Sequence, residues 1–212
     1  MPVRLTGLKH STCSMRVLIT LEEKGVNDFD FQEIDMAAGE HKSPEFVEKN
    51  PFGQIPVLED GDLTIFESRA ICRYLESKYK GQGATLMPSP SDIKATAVFE
   101  QWASAELTHF DAMISSIYYQ TTIRKLQGLE SVPEILAENI KSLSANLDVY
   151  DTILGRQKYM AGDEFSLVDI FFVPYTNRTF KMGLGNMVTD RPHLKMWWET
   201  VSSRPSLKKW ST

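Results

Sequence analysis

Residues 50–71 read NPFGQIPVLEDGDLTIFESRAI, and they contain the most specific fold signals in the chain. Pro51 and Gly53 exclude a helix at the start of this stretch, because proline lacks an amide hydrogen and glycine lowers helix stability. We expect a cis peptide bond between Ile55 and Pro56, since only X-Pro bonds adopt the cis form at a cost of about 1 kcal/mol or less. A cis-proline at the start of a strand turns the preceding backbone groups outward. We therefore predict that these groups bind a ligand rather than a neighbouring strand.

A hairpin and a helix follow this proline. Asp60-Gly61 separates the apolar pair at 57–58 from the apolar run at 63–66, and Asp-Gly between such runs is a strong signal for a β-hairpin. Ser68 then fits the N-cap of a helix whose apolar residues recur at helical spacing. Each feature alone is common in ordinary hairpins and helices. Because the first-turn amides of a helix form a ready anion site, we expect a carboxylate to bind there.

Two strands and a helix are predicted before this stretch. Residues 3–7 alternate between apolar and polar side chains, residues 15–25 show helical spacing up to a glycine, and residues 28–34 alternate again. The loop at 8–14 carries hydroxyls and one thiol at a strand-to-helix junction, where helix amides favour negative charge. Strand, helix and strand followed by a hairpin and a helix is the thioredoxin-like order. The fold class is therefore predicted as α/β plus all-α, beginning with a βαβαββα domain at residues 1–80.

An all-helical domain is predicted after a linker. Turn-forming residues concentrate at 81–91, which we interpret as the linker, and helical patterns dominate residues 92–212. Apolar stripes at 93–119 and 135–154 predict two long helices. Ser166 and Asp169 have the spacing of a capping box, which we interpret as a folding signal without a catalytic role.

Composition limits the classes of function. The chain has 212 residues, 42% of them hydrophobic and 24% charged, as in an ordinary globular protein. A net charge of -5 without clustered basic residues argues against nucleic acid as a partner. No apolar run is long enough for a membrane span or a signal peptide, and no metal-binding motif is found. Two cysteines suit a reducing compartment, so we expect a cytoplasmic protein.

Three short sequence motifs together resemble those of a known family. GEHK at 39–42, NPFGQ at 50–54 and FESRAI at 66–71 resemble glutathione transferases, most closely the phi class. The resemblance implies an enzyme that conjugates reduced glutathione, as a co-substrate, to small hydrophobic electrophiles. It also implies possible reduction of organic hydroperoxides, no prosthetic group and a homodimer. Phe52, between Pro51 and Gly53, is the candidate apolar contact with the second subunit; the alternative is packing within its own domain.

The resemblance also implies roles for individual residues. Glu67 and Ser68 would bind the glutamyl end of glutathione, the backbone of Ile55 would pair with the cysteinyl part with help from Gln54, and His41 and Lys42 would reach the glycyl carboxylate. For the last two, an exposed polar loop is an equal alternative. The residues expected around the electrophile are Leu8, Phe110, Ile114, Ile117, Tyr118 and Phe180. The helical stripes that contain several of them also fit an ordinary core.

Ser11 is the predicted catalytic residue, because it holds the position of the catalytic serine or cysteine in similar families. Its hydroxyl would donate a hydrogen bond that stabilises the glutathione thiolate, and no tyrosine precedes Tyr74 to replace it. Cys13 leaves an alternative open, a thiol oxidoreductase acting through a mixed disulfide with glutathione. A further alternative of another class is a non-catalytic protein that binds apolar ligands or serves as an interaction domain.

Overall fold

The computed structural model describes residues 2–210 and divides into two compact units. The first runs to Leu86 and resumes at Pro205, and the second comprises Met87–Arg204. The sequence predicts a linker at 81–91 and a helical domain from 92 to 212, so the last helix groups with a different unit than expected. The limits within which each domain folds on its own stay a prediction.

The first unit contains a four-stranded mixed sheet. Its elements are β1 (Arg4–Gly7), α1 (Thr12–Glu23), β2 (Asp30–Glu33), a 3₁₀ turn (Glu40–Lys42), α2 (Pro44–Lys49), β3 (Val57–Asp60), β4 (Leu63–Phe66) and α3 (Ser68–Lys78). The strand order is β2-β1-β3-β4, with β1 parallel to β2 and antiparallel to β3, and β3 antiparallel to β4. This arrangement confirms the predicted thioredoxin-like domain. The peptide bond between Ile55 and Pro56 is cis, as predicted.

A buried ion pair joins three parts of this unit. Lys24, at the end of α1, is 1% exposed, and its Nζ lies 2.7 Å from Oε2 of Glu76 on α3. The same Nζ donates to the carbonyl of Ala84 at 2.7 Å. Removing one charge of such a pair leaves the other buried and uncompensated, which is strongly destabilising. The pair therefore fixes the segment after α3 against the end of α1.

The second unit is helical. It contains α4 (Ile93–Glu106), a π-helical turn (Leu107–Asp111), α5 (Ala112–Tyr118), a second π-helical turn (Tyr119–Ile123), α6 (Arg124–Leu126), α7 (Pro133–Leu154), α8 (Leu167–Lys181), α9 (Asn186–Thr189) and α10 (Pro192–Ser202). The final helix, α11 (Pro205–Trp210), belongs to the first unit, where Lys209 pairs with Glu22 at 2.6 Å. The sequence pattern does not predict α11. No helix within residues 2–210 has the length and apolar character needed to cross a membrane.

The stripe predicted for the first long helix of this unit is partly wrong. Val98 and Leu107 are apolar residues of the stripe predicted at 93–119, but they are 44% and 49% exposed. Phe110, Ile114 and Ile117 of this stripe are buried as predicted, and the other buried positions are Phe99, Ala103 and Glu106. Each π-helical turn holds more residues than an α-helical turn, so the 3.6-residue period does not continue through the segment.

The capping box at the start of α8 is confirmed. The Ser166 hydroxyl accepts from the Val168 amide at 3.2 Å, and the Asp169 carboxylate accepts from the Ser166 amide at 2.9 Å. Asp169 also accepts from the Met160 amide at 3.0 Å and the Trp197 indole at 2.8 Å. Burial raises the pKa of this carboxyl, although these hydrogen bonds oppose the rise. Its contacts are all structural, in agreement with the folding role predicted for it.

Candidate active site

Ser11 is the N-cap of α1. Its backbone is extended, with φ -70° and ψ 134°, and its carbonyl accepts from the Met15 amide at 2.8 Å. The hydroxyl oxygen accepts from the Ser14 amide at 3.5 Å. This contact uses a lone pair on the oxygen, so the hydroxyl hydrogen remains to be donated. Ser11 therefore has the position and the bonding that the predicted donor requires.

A small network fixes the loop before Ser11. Ser14 is fully buried, and its hydroxyl accepts from the Leu8 amide at 3.3 Å, while the Ser11 amide donates to the Leu8 carbonyl at 3.0 Å. Gly7 leaves room for this contact, because a Cβ there would lie 2.5 Å from Ser14 Oγ and 3.6 Å from Pro56 Cβ. The first turn of α1 and the cis-proline thus approach each other across Gly7. The roles of Ser14 and Gly7 here depend on this close approach, so the sequence alone does not predict them.

The turn carrying His41 and Lys42 packs against the loop at 50–54. Lys42 Nζ donates to the Phe52 carbonyl at 3.0 Å. Gly53 has a φ of 56°, and a Cβ there would lie 2.7 Å from the His41 carbonyl oxygen. His41 Nδ1 is buried without a hydrogen-bond partner within the described part of the chain. Buried polar atoms in proteins are usually satisfied, so this unpaired nitrogen is an exception that a bound ligand would explain.

Asn50 shapes the segment before the cis-proline. Its side-chain amide donates to the Gln54 carbonyl at 2.7 Å, and its side-chain oxygen accepts from the Phe52 amide at 3.1 Å. Gln54 is exposed and Ile55 half-buried, and neither belongs to the β3 ladder, which begins at Val57. The Asn-Pro dipeptide is a turn signal that could have identified this role.

The helix α3 begins differently from the prediction. Ser68 was expected as the N-cap, but it is the first helical residue, and Glu67 holds the cap position with φ 68° and ψ 107°. The Glu67 carbonyl accepts from the Ile71 amide at 2.9 Å, so the helix begins one residue earlier than predicted. Glu67 is the one non-glycine with a positive φ in residues 2–210. Non-glycine residues in this region carry strain, and such residues cluster at functional sites.

The predicted electrophile residues occupy three kinds of position. Leu8 lies in the first unit, half-buried against the cluster of Ile34, Phe46 and Val57. Three residues of the second unit are 2% exposed or less and belong to its core: Phe110, Ile114 and Ile117. Tyr118 is half-buried on α5, and Phe180 is 38% exposed and stacks on Trp198 with ring centroids 5.5 Å apart. Because Tyr118 and Phe180 are less buried than the other three residues of the second unit, they are better placed to contact a substrate. The set as a whole stays a prediction.

The two cysteines differ in their surroundings. Cys72 is fully buried on α3, and burial raises the pKa of its thiol to about 11, so it is protonated at neutral pH. Cys13 is half-buried in the first turn of α1, and a guanidinium nitrogen of Arg16 donates to its sulfur at 3.6 Å. Neither is in a disulfide. Within residues 2–210, no group of three or more His, Cys, Asp and Glu side chains is placed to hold a metal ion.

Comparisons with known proteins agree across the chain. Family models described as the N-terminal and C-terminal domains of glutathione S-transferase match residues 1–77 and 110–205. Glutathione S-transferase F13 of Arabidopsis thaliana is 40% identical over 209 residues, which is 99% of this chain and 94% of the relative. The crystal structure of glutathione transferase F7 from Populus trichocarpa is 42% identical, with a TM-score of 0.93 and coverage of 99% and 97%. A structure of glutathione S-transferase I from maize with an atrazine–glutathione conjugate is 34% identical, with a TM-score of 0.90 and coverage of 100% and 97%.

Proposed function

The chain belongs to the glutathione S-transferase family, and on this premise we propose that it conjugates reduced glutathione to small hydrophobic electrophiles, with Ser11 stabilising the thiolate. The observation that carries the proposal is the position of the Ser11 hydroxyl at the N-terminus of α1. The atrazine–glutathione conjugate bound by the maize relative supports electrophiles of this kind. Both cysteines are free thiols, which supports a reducing compartment such as the cytosol.

The energy that this role requires is modest. A free thiol has a pKa near 8.5, so only a few per cent is thiolate at pH 7. Lowering this pKa by about two units needs roughly 2.7 kcal/mol. One charge-assisted hydrogen bond from Ser11 contributes about 1.5–3 kcal/mol, and the helix N-terminus adds about 0.3–1 kcal/mol. Ser11 therefore acts as a hydrogen-bond donor, and no general base is needed.

The remaining contacts in the first unit suit a tripeptide with charged ends. Lys42 has three donor hydrogens, so it can bind a glycyl carboxylate while it donates to the Phe52 carbonyl. His41 Nδ1 can supply a further hydrogen bond at that end. At the other end, the Glu67 carboxylate would bind the glutamyl amine, and the first-turn amides after Ser68 would bind the glutamyl carboxylate. Ile55, before the cis-proline, would pair its backbone with the cysteinyl part, with Gln54 beside it.

The same activated thiolate supports glutathione-dependent reduction of organic hydroperoxides. Two glutathione molecules would supply two electrons and two protons, and the products would be glutathione disulfide, an alcohol and water. A panel of electrophiles and hydroperoxides, with and without glutathione, measures the balance between the two reactions.

We further propose a homodimer held by Phe52. Phe52 is 65% exposed, beside the edge of the Phe66 ring. The second unit has an apolar pocket of about 240 Å³ lined by Trp102, Ala105, His109, Asn146, Val149, Tyr150 and Ile153. In a two-fold dimer, Phe52 of each copy would enter this pocket of the other copy, so one contact would occur twice. An exposed aromatic ring and an unfilled apolar pocket on the same chain support this arrangement.

The replacement Ser11→Ala tests the proposed role of the hydroxyl. It removes the hydroxyl donor and keeps the helix amides, so conjugation at pH 7 should fall by roughly one to two powers of ten, equivalent to about 1.5–3 kcal/mol. Glutathione binding should fall much less. Raising the pH should restore much of the lost rate, since hydroxide then supplies the thiolate. The measurement is kcat/KM for a chloronitrobenzene between pH 6 and 9, with glutathione affinity from calorimetry.

Cys13→Ser is the matched control, and it should leave conjugation unchanged. If Ser11→Ala kept the wild-type rate at pH 7 while Cys13→Ser abolished it, the thiol oxidoreductase would replace the proposed mechanism. If no electrophile reacted in the presence of glutathione, the non-catalytic binding protein would replace it.

A further inference from the structure

An arginine side chain lies against aromatic rings of the second unit. The guanidinium carbon of Arg178, on α8, lies 5.1 Å from the centroid of the Tyr118 ring on α5. Tyr175 meets the same ring edge-on, with centroids 6.2 Å apart and an interplanar angle of 67°. Because residues 175 and 178 are three apart on α8, both side chains are presented to Tyr118 by one helical turn. The face thus combines two aromatic rings with a fixed positive charge.

We propose that Arg178 determines specificity and favours electrophiles that carry an anionic group, such as an aromatic carboxylate. This inference rests on the proposed function, because it names the substrate class of the same site. Among the predicted electrophile contacts of the second unit, Tyr118 is half-buried rather than in the core. The positive charge of Arg178, held against the Tyr118 ring, would attract an anionic group on an electrophile bound beside that ring.

The chemistry of the guanidinium group suits this role. Its face packs on an aromatic ring while its N–H groups point outward in the plane of the group, so stacking and anion binding are compatible. It has five N–H donors, so it can serve an anion in addition to contacts within the protein. An apolar wall alone discriminates weakly between ligands of similar shape, whereas a hydrogen-bonded charge discriminates strongly. A carboxylate on the electrophile would also repel the thiolate that attacks it, and a fixed cation offsets that repulsion.

The surrounding backbone keeps this face in place. The π-helical turn Tyr119–Ile123 follows Tyr118 directly, and such turns are frequent at functional sites. Within it, the Thr121 hydroxyl donates to the Ile117 carbonyl at 2.8 Å and lies 3.4 Å from the sulfur of Met182, just after α8. The segment that carries Tyr118 is therefore joined to the end of the helix that carries Arg178.

The test compares a charged electrophile with a neutral one of the same shape. The pair is 4-chloro-3,5-dinitrobenzoate and 4-chloro-3,5-dinitrobenzamide, each rate divided by its uncatalysed rate with glutathione. Wild type should prefer the benzoate. Arg178→Gln should lower kcat/KM for the benzoate about tenfold, equivalent to about 1.4 kcal/mol, mainly through KM, and leave the benzamide rate unchanged. Arg178→Lys should lose part of the preference, because an ammonium cannot reproduce the planar two-point contact.

Inhibition of the wild-type protein gives a second readout that needs no variant. 3,5-Dinitrobenzoate should compete with a neutral electrophile more tightly than 3,5-dinitrobenzamide, and added salt should reduce the difference. The inference would be overturned if wild type did not prefer the benzoate over the benzamide in either pair, or if Arg178→Gln kept the wild-type preference, while conjugation itself persisted. If neither electrophile were conjugated, the proposed function would fail, and the inference with it.

Discussion

At the scale of single residues, the candidate site places Glu67 in an unfavourable backbone conformation. A φ of 68° is unfavourable for a residue with a Cβ and costs about 1–3 kcal/mol. The side chain is exposed, so packing of the side chain does not explain why glutamate stands there. Binding of the glutamyl amine of glutathione would explain the glutamate, because a carboxylate at this position can pair with that amine.

The pair Glu67→Gly and Glu67→Gln separates strain from charge. Glycine adopts this φ freely, so Glu67→Gly should relieve the backbone strain. Glycine also adds entropy to the unfolded state, which offsets part of this gain, so the free energy of unfolding should rise by roughly 1 kcal/mol. Glu67→Gln keeps the Cβ and should leave stability unchanged. Both should weaken glutathione binding about tenfold or more, through the lost charge-assisted hydrogen bond. Urea unfolding and calorimetry measure the two effects; equal stability of the variants would contradict the strain, and retained affinity would contradict the binding role.

At the scale of elements, the β3–β4 hairpin is joined to α3 by Asp60. Its carboxylate accepts hydrogen bonds from Lys78 and Tyr74 on α3. The bond from Lys78, followed by that from Tyr74, lowers the pKa of Asp60 below its usual 3.8. A carboxyl whose pKa is lower in the folded state stabilises the fold above its unfolded pKa. That stabilisation is lost as the pH falls through the folded value.

Asp60→Asn should therefore destabilise the protein at neutral pH but not at low pH. Because these groups are close to solvent, we expect a decrease in Tm of roughly 1–3 °C at pH 7. The difference from wild type should stay constant down to about pH 5 and shrink below about pH 4, where the wild-type carboxyl takes up its proton. Thermal melts between pH 7 and 3.5 measure this. Asp62→Asn, at the exposed tip of the same hairpin, is the control, and an equal pH dependence there would rule out the Asp60 contact as the cause.

At the scale of the whole molecule, the proposed dimer depends on Phe52 and the pocket of the second unit. Burying one phenylalanine contributes about 1.5–3 kcal/mol, and a two-fold axis doubles it. Phe52→Ser should therefore raise the dissociation constant by roughly two to four powers of ten. Val149→Asp, which places a charge in the pocket, should act in the same direction.

Sedimentation at micromolar concentration measures both changes, and wild type should sediment at twice the mass of the chain. Leu126→Ser is the control, because Leu126 is 79% exposed on the second unit and is not one of the residues that line the pocket. A monomeric wild type, or a Phe52→Ser protein as dimeric as wild type, would remove the proposal.

Features encoded within a few neighbouring residues can be predicted from the sequence. The hairpin after Asp60-Gly61, the cis bond at Pro56 and the capping box at Ser166 are of this kind, since each follows from the backbone preferences of adjacent residues. The order of these elements, together with the sequence motifs at 39–42, 50–54 and 66–71, was sufficient to predict the thioredoxin-like fold and the family.

Features that depend on contacts between residues distant in the chain become visible only in the folded structure. Gly7 matters because Ser14 and Pro56 approach it, and Arg178 matters because Tyr118, sixty residues earlier, lies beneath its guanidinium group. The π-helical turns displaced the buried stripe of the second unit from the period that the sequence suggested. The helix α11 also joined the first unit through contacts with α1. Local preferences of the chain carry no information about such long-range packing, which is fixed only when the elements are brought together.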